Sequence, residues 1–302
     1  MPVALNTFEI LGGLMNKDNV VITLKQNAIV RRNFTDVCIK KVNDLNYGLV
    51  DYVYLQDKKK GIGVRFPVEG VDSDISEEAF IDIVLQACIS YAKSESKIRK
   101  CSDIKYAVKN HTLRIKLSYK GLEHNIDTCM IAGEILDLNV LIQSVISDND
   151  DSMYRSFIPC NELERFGYDV ASIVTTAIQD SVASGFSLRS LVDVLKELEA
   201  PIDLRDKSSM YVLRLNDETA YSSTILLCDS ILQTVRERLQ EDYYVLPSSQ
   251  HELLVLPKSS ACGFDTDYLK SIIHSTNCDI VSPKDFLSDS LYYFDGTLQV
   301  VE

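Results

Sequence analysis

Ser249, His251 and Glu252 fall within one short polar stretch, Pro247-Ser-Ser-Gln-His-Glu252, and they are the three residue types that a serine hydrolase combines. A serine becomes a nucleophile when a histidine within hydrogen-bond reach takes its proton and a carboxylate orients that histidine. Here the serine and the histidine are two positions apart. In an extended strand such residues share a face without confronting each other. No G-x-S-x-G elbow surrounds Ser249 to expose it and supply an oxyanion hole. The competing reading is a turn, in which Ser248 and Ser249 bond backbone amides after Pro247 while His251 and Glu252 complete a hairpin. The spacing favours the turn and leaves Ser249, His251 and Glu252 as weak catalytic candidates.

Other chemistry is thinly represented. Lys58-Lys59-Lys60 before Gly61 is the densest basic run, and it reads as a solvated hairpin tip. Joined to Arg31-Arg32 and Lys40-Lys41, it forms a candidate anion-binding patch without clearly interleaved stacking aromatics. The histidines, His111, His124, His251 and His274, are too dispersed for a multi-histidine metal centre. The eight cysteines form no C-x-x-C pair, and several sit in apolar runs, so they read as reduced thiols. Ser147-Asp-Asn-Asp-Asp-Ser152 lacks the turn glycine and closing glutamate of a calcium loop. Gly61-Ile-Gly63 lacks the rest of a phosphate-binding pattern. Neither a metal nor a cofactor is expected.

The elements that must position these residues are those of an α+β protein. Length and composition suit two domains with a sizeable core: 302 residues, 46% hydrophobic and 25% charged. Residues 1–125 carry 19 Lys/Arg against 15 Asp/Glu, a net of +4, and the remainder 12 against 29, a net of −17. That asymmetry places a boundary near 120–130. The expected domains are thus a mildly basic 1–125 and an acidic 126–302. In the first, a short helix or packed arm at 4–15 precedes an antiparallel meander over Val20–Leu24, Ala28–Arg32, Val37–Val42 and Gly48–Leu55. Then Ser76 caps a helix over about 77–94, and His111–Tyr119 alternates as a strand.

In the second, residues 129–146 fit either a helix or two strands around Asp137. Tyr154–Ile158 reads as a strand, and helices are expected over 161–167, 170–183, 187–198 and 220–239. Strands at Met210–Leu215, Tyr243–Leu246 and Leu253–Leu256 complete a β-α-β-β mixed sheet covered by helices. A helix at 265–275 and a strand at 291–294 follow, and Tyr243-Tyr244 and Tyr292-Tyr293 are expected to pack in the sheet.

Several segments carry a family resemblance: Leu136-Asp-Leu-Asn-Val140, Asn161-Glu-Leu-Glu-Arg-Phe-Gly167 and Met210-Tyr-Val-Leu213, together with Tyr243-Tyr-Val-Leu-Pro-Ser-Ser-Gln-His-Glu252 and Leu287-Ser-Asp-Ser-Leu-Tyr-Tyr-Phe-Asp295. Through them residues 135–302 resemble a bacterial family of uncharacterised proteins, known as a domain of unknown function and common in anaerobic gut bacteria. The resemblance implies an intracellular α+β protein and supplies no catalytic assignment.

No apolar run approaches the roughly 20 residues that cross a bilayer, and the N-terminus is no signal peptide, so the expected compartment is the cytoplasm, with no membrane partner. The first reading of function is a non-enzymatic binding or accessory protein, of a phage or mobile element, whose acidic half contacts a protein partner. An acidic half repels phosphates, so nucleic acid would fall to the basic half through Arg31, Arg32, Lys58, Lys59 and Lys60. The alternative from another class is a hydrolase using Ser249, His251 and Glu252.

Overall fold

The computed structural model of the protein describes residues 16–44, 48–58, 63–68, 76–121, 126–147, 153–198, 210–247, 249–282 and 285–302. The helix or arm expected at 4–15, Lys59, Lys60, Ser248 and most of the acidic turn after Ser147 lie outside these residues. In chain order the elements begin with helices α1 (Lys17–Gln26) and α2 (Ala28–Asn33), strands β1 (Phe34–Asp44), β2 (Gly48–Asp57) and β3 (Gly63–Pro67), and helices α3 (Glu77–Cys101) and α4 (Ile104–Lys109). The middle of the chain is mainly strand: β4 (Leu113–Tyr119), β5 (Ile131–Ile135), β6 (Leu138–Ser147) and β7 (Met153–Phe157). There follow α5 (Cys160–Arg165), α6 (Val170–Val182), β8 (Phe186–Ser190), α7 (Leu191–Glu197), β9 (Tyr211–Leu215) and α8 (Asp229–Leu239). The chain closes with β10 (Tyr243–Leu246), β11 (Leu253–Pro257), α9 (Thr266–Asp279), β12 (Tyr292–Phe294) and β13 (Leu298–Val300). The fold is α+β. It divides into one unit formed by the described residues of 1–112, 123–127 and 144–158, and another formed by those of 113–122, 128–143 and 159–302.

In the first unit, α1 and α2 replace two of the strands expected of the meander. Val, Ile and Thr predispose 20–24 and 28–32 to strand, but capping decides otherwise. The Asn16 side chain accepts from the Asn19 amide, and the Asn27 side chain from the Ile29 amide. Asn27 also ends α1, its own amide donating to Leu24 O. Each such cap is worth about 1 kcal/mol. The helices then bury Val20, Leu24 and Val30. The meander that remains, β1-β2-β3, is antiparallel, with Val37 opposite Leu55 and Val53 opposite Phe66. Its core is closed by α3, whose Phe80, Val84, Cys88, Tyr91, Ile98 and Cys101 are buried along one side. Ser76 caps α3 as expected, accepting from the Ala79 amide. The helix runs two turns beyond the expected end at 94 because that buried side continues to Cys101.

In the second unit, the ambiguous 129–146 stretch is the two-strand alternative, β5 and β6 joined at Leu136-Asp137. The six-stranded sheet has the order β13-β12-β10-β11-β9-β8. Every adjacent pair in it is antiparallel, rather than mixed as expected. The expected crossover survives, since β9 and β10 are parallel to each other, but the hairpin strand β11 is inserted between them. Tyr243 and Phe294, opposite each other in register, stack with ring centroids 5.4 Å apart.

Two expected helices are shorter than their sequence pattern. Residues 186–190 pair with β9 as a strand before α7 begins, Leu188 lying opposite Leu213. The helix expected over 220–239 is a 3-10 turn at Ser222–Leu227, an extended Cys228, then α8. Ser222 and Ser223 explain the break, since hydroxyls beside the backbone compete with helical bonding. Ser222 Oγ accepts from the Leu215 amide, and Ser223 Oγ donates to Gln250 Oε1. Helix α9 packs Leu269 and Ile273 with Leu246, Leu256 and Leu291 of the sheet region.

Candidate functional site

The polar stretch after β10 is organised by Gln250, the residue between the candidates Ser249 and His251. Gln250 is 0% exposed. Its amide nitrogen donates one hydrogen to Leu117 O at 2.7 Å and the other to Phe286 O at 3.1 Å, and Oε1 accepts from Ser223 Oγ at 2.9 Å. Its backbone N–H donates to Asp285 O at 2.8 Å, and its backbone carbonyl accepts from the Ser223 amide at 3.1 Å. A buried primary amide is costly unless both hydrogens find acceptors, and here both do. The stretch is therefore fastened at three separate places in the second unit, Leu117, Ser223 and Asp285-Phe286.

Around this anchor the three candidates go to different partners. Ser249 Oγ accepts from the His251 backbone amide at 3.1 Å, and the Ser249 amide donates to Glu252 O at 3.3 Å. Both are turn bonds of the kind expected after Pro247. His251 Nε2 pairs with Asp285 Oδ1 at 3.0 Å, and its ring lies 5.3 Å from that of Tyr221. Glu252 pairs with Arg214 at 2.6 Å. The carboxylate that holds His251 is thus Asp285 rather than Glu252. An ionised carboxylate only accepts, so Nε2 carries the proton and Nδ1 is left as the basic nitrogen. Such a dyad can take a proton from a bound molecule. The serine hydroxyl nearest in sequence is bonded to the backbone of the same turn.

A second anchor sits in the same unit. Asp137, in the turn between β5 and β6, accepts from Ser288 Oγ at 2.8 Å and from Tyr292 OH at 2.7 Å. Burial, with the Asp137 carboxylate beside it, pushes the Tyr292 phenol far above its usual range. Tyr119 is pushed up for the same reasons, in that order, and its ring meets Phe286 edge-on at 5.9 Å. Of the segments that carry the family resemblance, 136–140 and 287–295 are therefore joined by Asp137, and 243–252 and 287–295 by the pairing of β10 with β12. One reading of 129–146 places Asp137 between two strands, but the sequence offers no sign of the partners that Gln250, Asp285, Asp137 and Ser288 take. Gln250 and Asp285 occupy turns, and nothing local distinguishes them from solvated polar residues.

The basic candidates lie in the first unit. Arg31 and Arg32 are exposed in the last turn of α2. The Lys58 amide donates to Asn33 O at 3.3 Å, which ties Lys58 to the last residue of α2. Lys40 lies 4.0 Å over the Tyr54 ring, a cation–π contact. A shallow groove of about 380 Å³ is lined by Ile29, Arg32, Asn33, Ile89, Ala92 and Lys93. None of the eight cysteines is joined in a disulfide. Among the described residues, no three His, Cys, Asp or Glu side chains are gathered to hold a metal ion, and no helix is long and apolar enough to cross a membrane.

Comparison with known proteins finds no match among curated proteins and none among solved structures. One family model matches residues 17–296, reaching well before the segments at 135–302 and taking in residues of both units. The chain belongs to that family, described as a family of unknown function (DUF5688).

Proposed function

We propose that the chain is a non-enzymatic binding or accessory protein of the cytoplasm, whose acidic second half engages a protein partner through the outer side of α9. One observation carries the reading. Tyr268 and Ile272 of α9, with Phe264 just before the N-cap Asp265, recur every fourth residue and are 49%, 37% and 51% exposed. The Phe264 and Tyr268 rings stack, 5.4 Å apart and 10° from parallel. The other side of the helix is well seated, with Leu269 and Ile273 buried, so the stripe is displayed by a firmly packed element. Rigid aromatic side chains on such a helix are what protein interfaces use as anchors. Asp265 and Asp267 stand beside the stripe, and a partner with an apolar pocket and a basic rim complements both features. The free thiols support a reducing compartment.

The test is capture of partners from nuclease-treated native lysate by tagged wild-type protein and by Tyr268→Glu, with far-UV circular dichroism confirming that the variant is folded. A stoichiometric protein bound by wild type and lost with Tyr268→Glu is the expected result. A partner retained equally by the variant, or no protein bound by wild type, overturns the reading. A second reading, nucleic-acid binding by the first half, is supported by the bond from the Lys58 amide to Asn33 O, which ties Lys58 to the residue that follows Arg31-Arg32 in the chain. It requires binding that weakens steeply with salt and falls when Arg31, Arg32 and Lys58 are replaced by alanine.

A further inference from the structure

Helix α9 also carries a connected set of side chains that neither reading uses. His274 and Cys278, one turn apart, bring Nε2 to 3.7 Å from Sγ. The other ring nitrogen, Nδ1, lies 3.4 Å from Asp289 Oδ2. Asp289 is itself held, since its Oδ1 accepts at 2.8 Å from Asn277 Nδ2, which also donates to Ser288 O at 2.9 Å. Asn277 is buried, whereas His274 and Cys278 are exposed. The order is a fixed amide, a carboxylate, an imidazole and an accessible thiol. An imidazole backed by a carboxylate beside a sulfur is the arrangement that activates a cysteine nucleophile.

We infer that Cys278 is the selectively reactive thiol of this chain, and that it is modified by exchange with low-molecular-weight disulfides. In the step, Nε2 of His274 takes the thiol proton as Sγ attacks one sulfur of R–S–S–R. The S–S bond of the disulfide breaks and a Cys278–S–S–R bond forms. The departing RS⁻ receives the proton and leaves as RSH. Cys278 is oxidised, the released sulfur is reduced, and no other reactant is needed. Asp289 is a positioning residue that acts through the imidazole.

Four of the remaining cysteines supply the comparison, while Cys38, Cys129 and Cys160 are half-buried. Cys88, Cys101 and Cys228 are buried, and burial pushes their thiols up to about 12, 11 and 11. Cys262 is exposed like Cys278, but its Sγ approaches the Lys258 carbonyl at 3.8 Å, which is no base. It is a reference thiol within the same molecule.

The experiment treats the full chain at neutral pH with oxidised glutathione and follows each cysteine by quantitative peptide mass spectrometry. Cys278 should react at least about tenfold faster than Cys262, a fraction of the roughly 10²–10⁴-fold that a positioned base contributes. His274→Ala should bring Cys278 to the rate of Cys262, and free imidazole should restore part of the difference, which a purely structural role of His274 would not permit. Asp289→Asn should slow Cys278 several-fold. Unchanged Cys262 rates and protected Cys88, Cys101 and Cys228 show in each variant that the fold is intact. Equal rates at Cys278 and Cys262 in the wild-type chain overturn the inference without any variant. So does a Cys278 rate that His274→Ala leaves unchanged.

Discussion

Replacing Gln250 by alanine removes the hydrogen-bond partners of Leu117 O, Phe286 O and Ser223 Oγ in one step. Leu117 and Ser223 are buried in the second unit and Phe286 is half-buried, and a buried polar group left unsatisfied costs roughly 1–3 kcal/mol. Some relaxation is inevitable, and water can enter the space left by the side chain. A loss of about 3–5 kcal/mol is therefore expected, a large part of the 5–15 kcal/mol that ordinarily separates folded from unfolded chains. The chain contains no tryptophan, so urea unfolding is best followed by far-UV circular dichroism. With a slope of about 2–3 kcal/mol per molar urea, the midpoint should fall by about 1–2 M. Gln250→Leu separates the causes, since it keeps most of the volume and still leaves the carbonyls unpaired. His251→Ala, by contrast, removes an exposed pair with Asp285 and should cost no more than about 1 kcal/mol. A Gln250→Ala loss below about 1 kcal/mol would refute the view that this residue fastens the turn. So would a His251→Ala loss equal to it.

Further predictions follow from the same geometry. If Ser249 and His251 are turn and surface residues, Ser249→Ala and His251→Ala will each leave any esterase activity of the purified protein unaltered. A turnover abolished by both, with melting temperature unchanged, would instead establish the hydrolase. Tyr292→Phe removes a hydrogen bond to the Asp137 carboxylate and should cost about 1.5–3 kcal/mol by urea unfolding, while Asp137→Asn in the Tyr292→Phe background should add less than it does alone. Stability should also decline on the alkaline side. Cys88, Cys101 and Cys228 have thiols raised by burial to about 12, 11 and 11, so the unfolded chain loses these protons first, from about pH 8.5 upward. A raised folded value gives stability that is complete below the unfolded value and lost as pH rises toward the folded one. The slope is about 1.4 kcal/mol per pH unit for each fully engaged group. Under reducing conditions the urea midpoint should therefore fall between pH 9 and 11, and a flat profile there would contradict the burial of these thiols.

Much of the local architecture was legible in the residues themselves. Ser76 announced α3, the pattern over 170–183 announced α6, and the apolar runs on either side of Pro247 announced β10 and β11. These signals are local: a cap, a helical period, a short apolar run between turn residues. The misreadings have physical causes as well. Val20–Leu24 looks like a strand until Asn16 and Asn27 are counted as caps, which made that error avoidable. The break before α8 was not avoidable, because Ser222 and Ser223 leave helical bonding only when Leu215 and Gln250 are there to receive them.

The candidate site belongs almost wholly to tertiary structure. By itself the sequence determined an α+β chain with an acidic second half, the turn after Pro247 and the family segments. It could not say that Asp285, rather than Glu252, would hold His251. Nor could it show that Gln250 would reach Leu117 across 133 positions, or Tyr292 reach Asp137 across 155. A side-chain amide or carboxylate has the same local signature whether it meets water or a distant carbonyl. Its partner is chosen only when burial brings the two together and makes leaving either one unpaired more costly than ordering both.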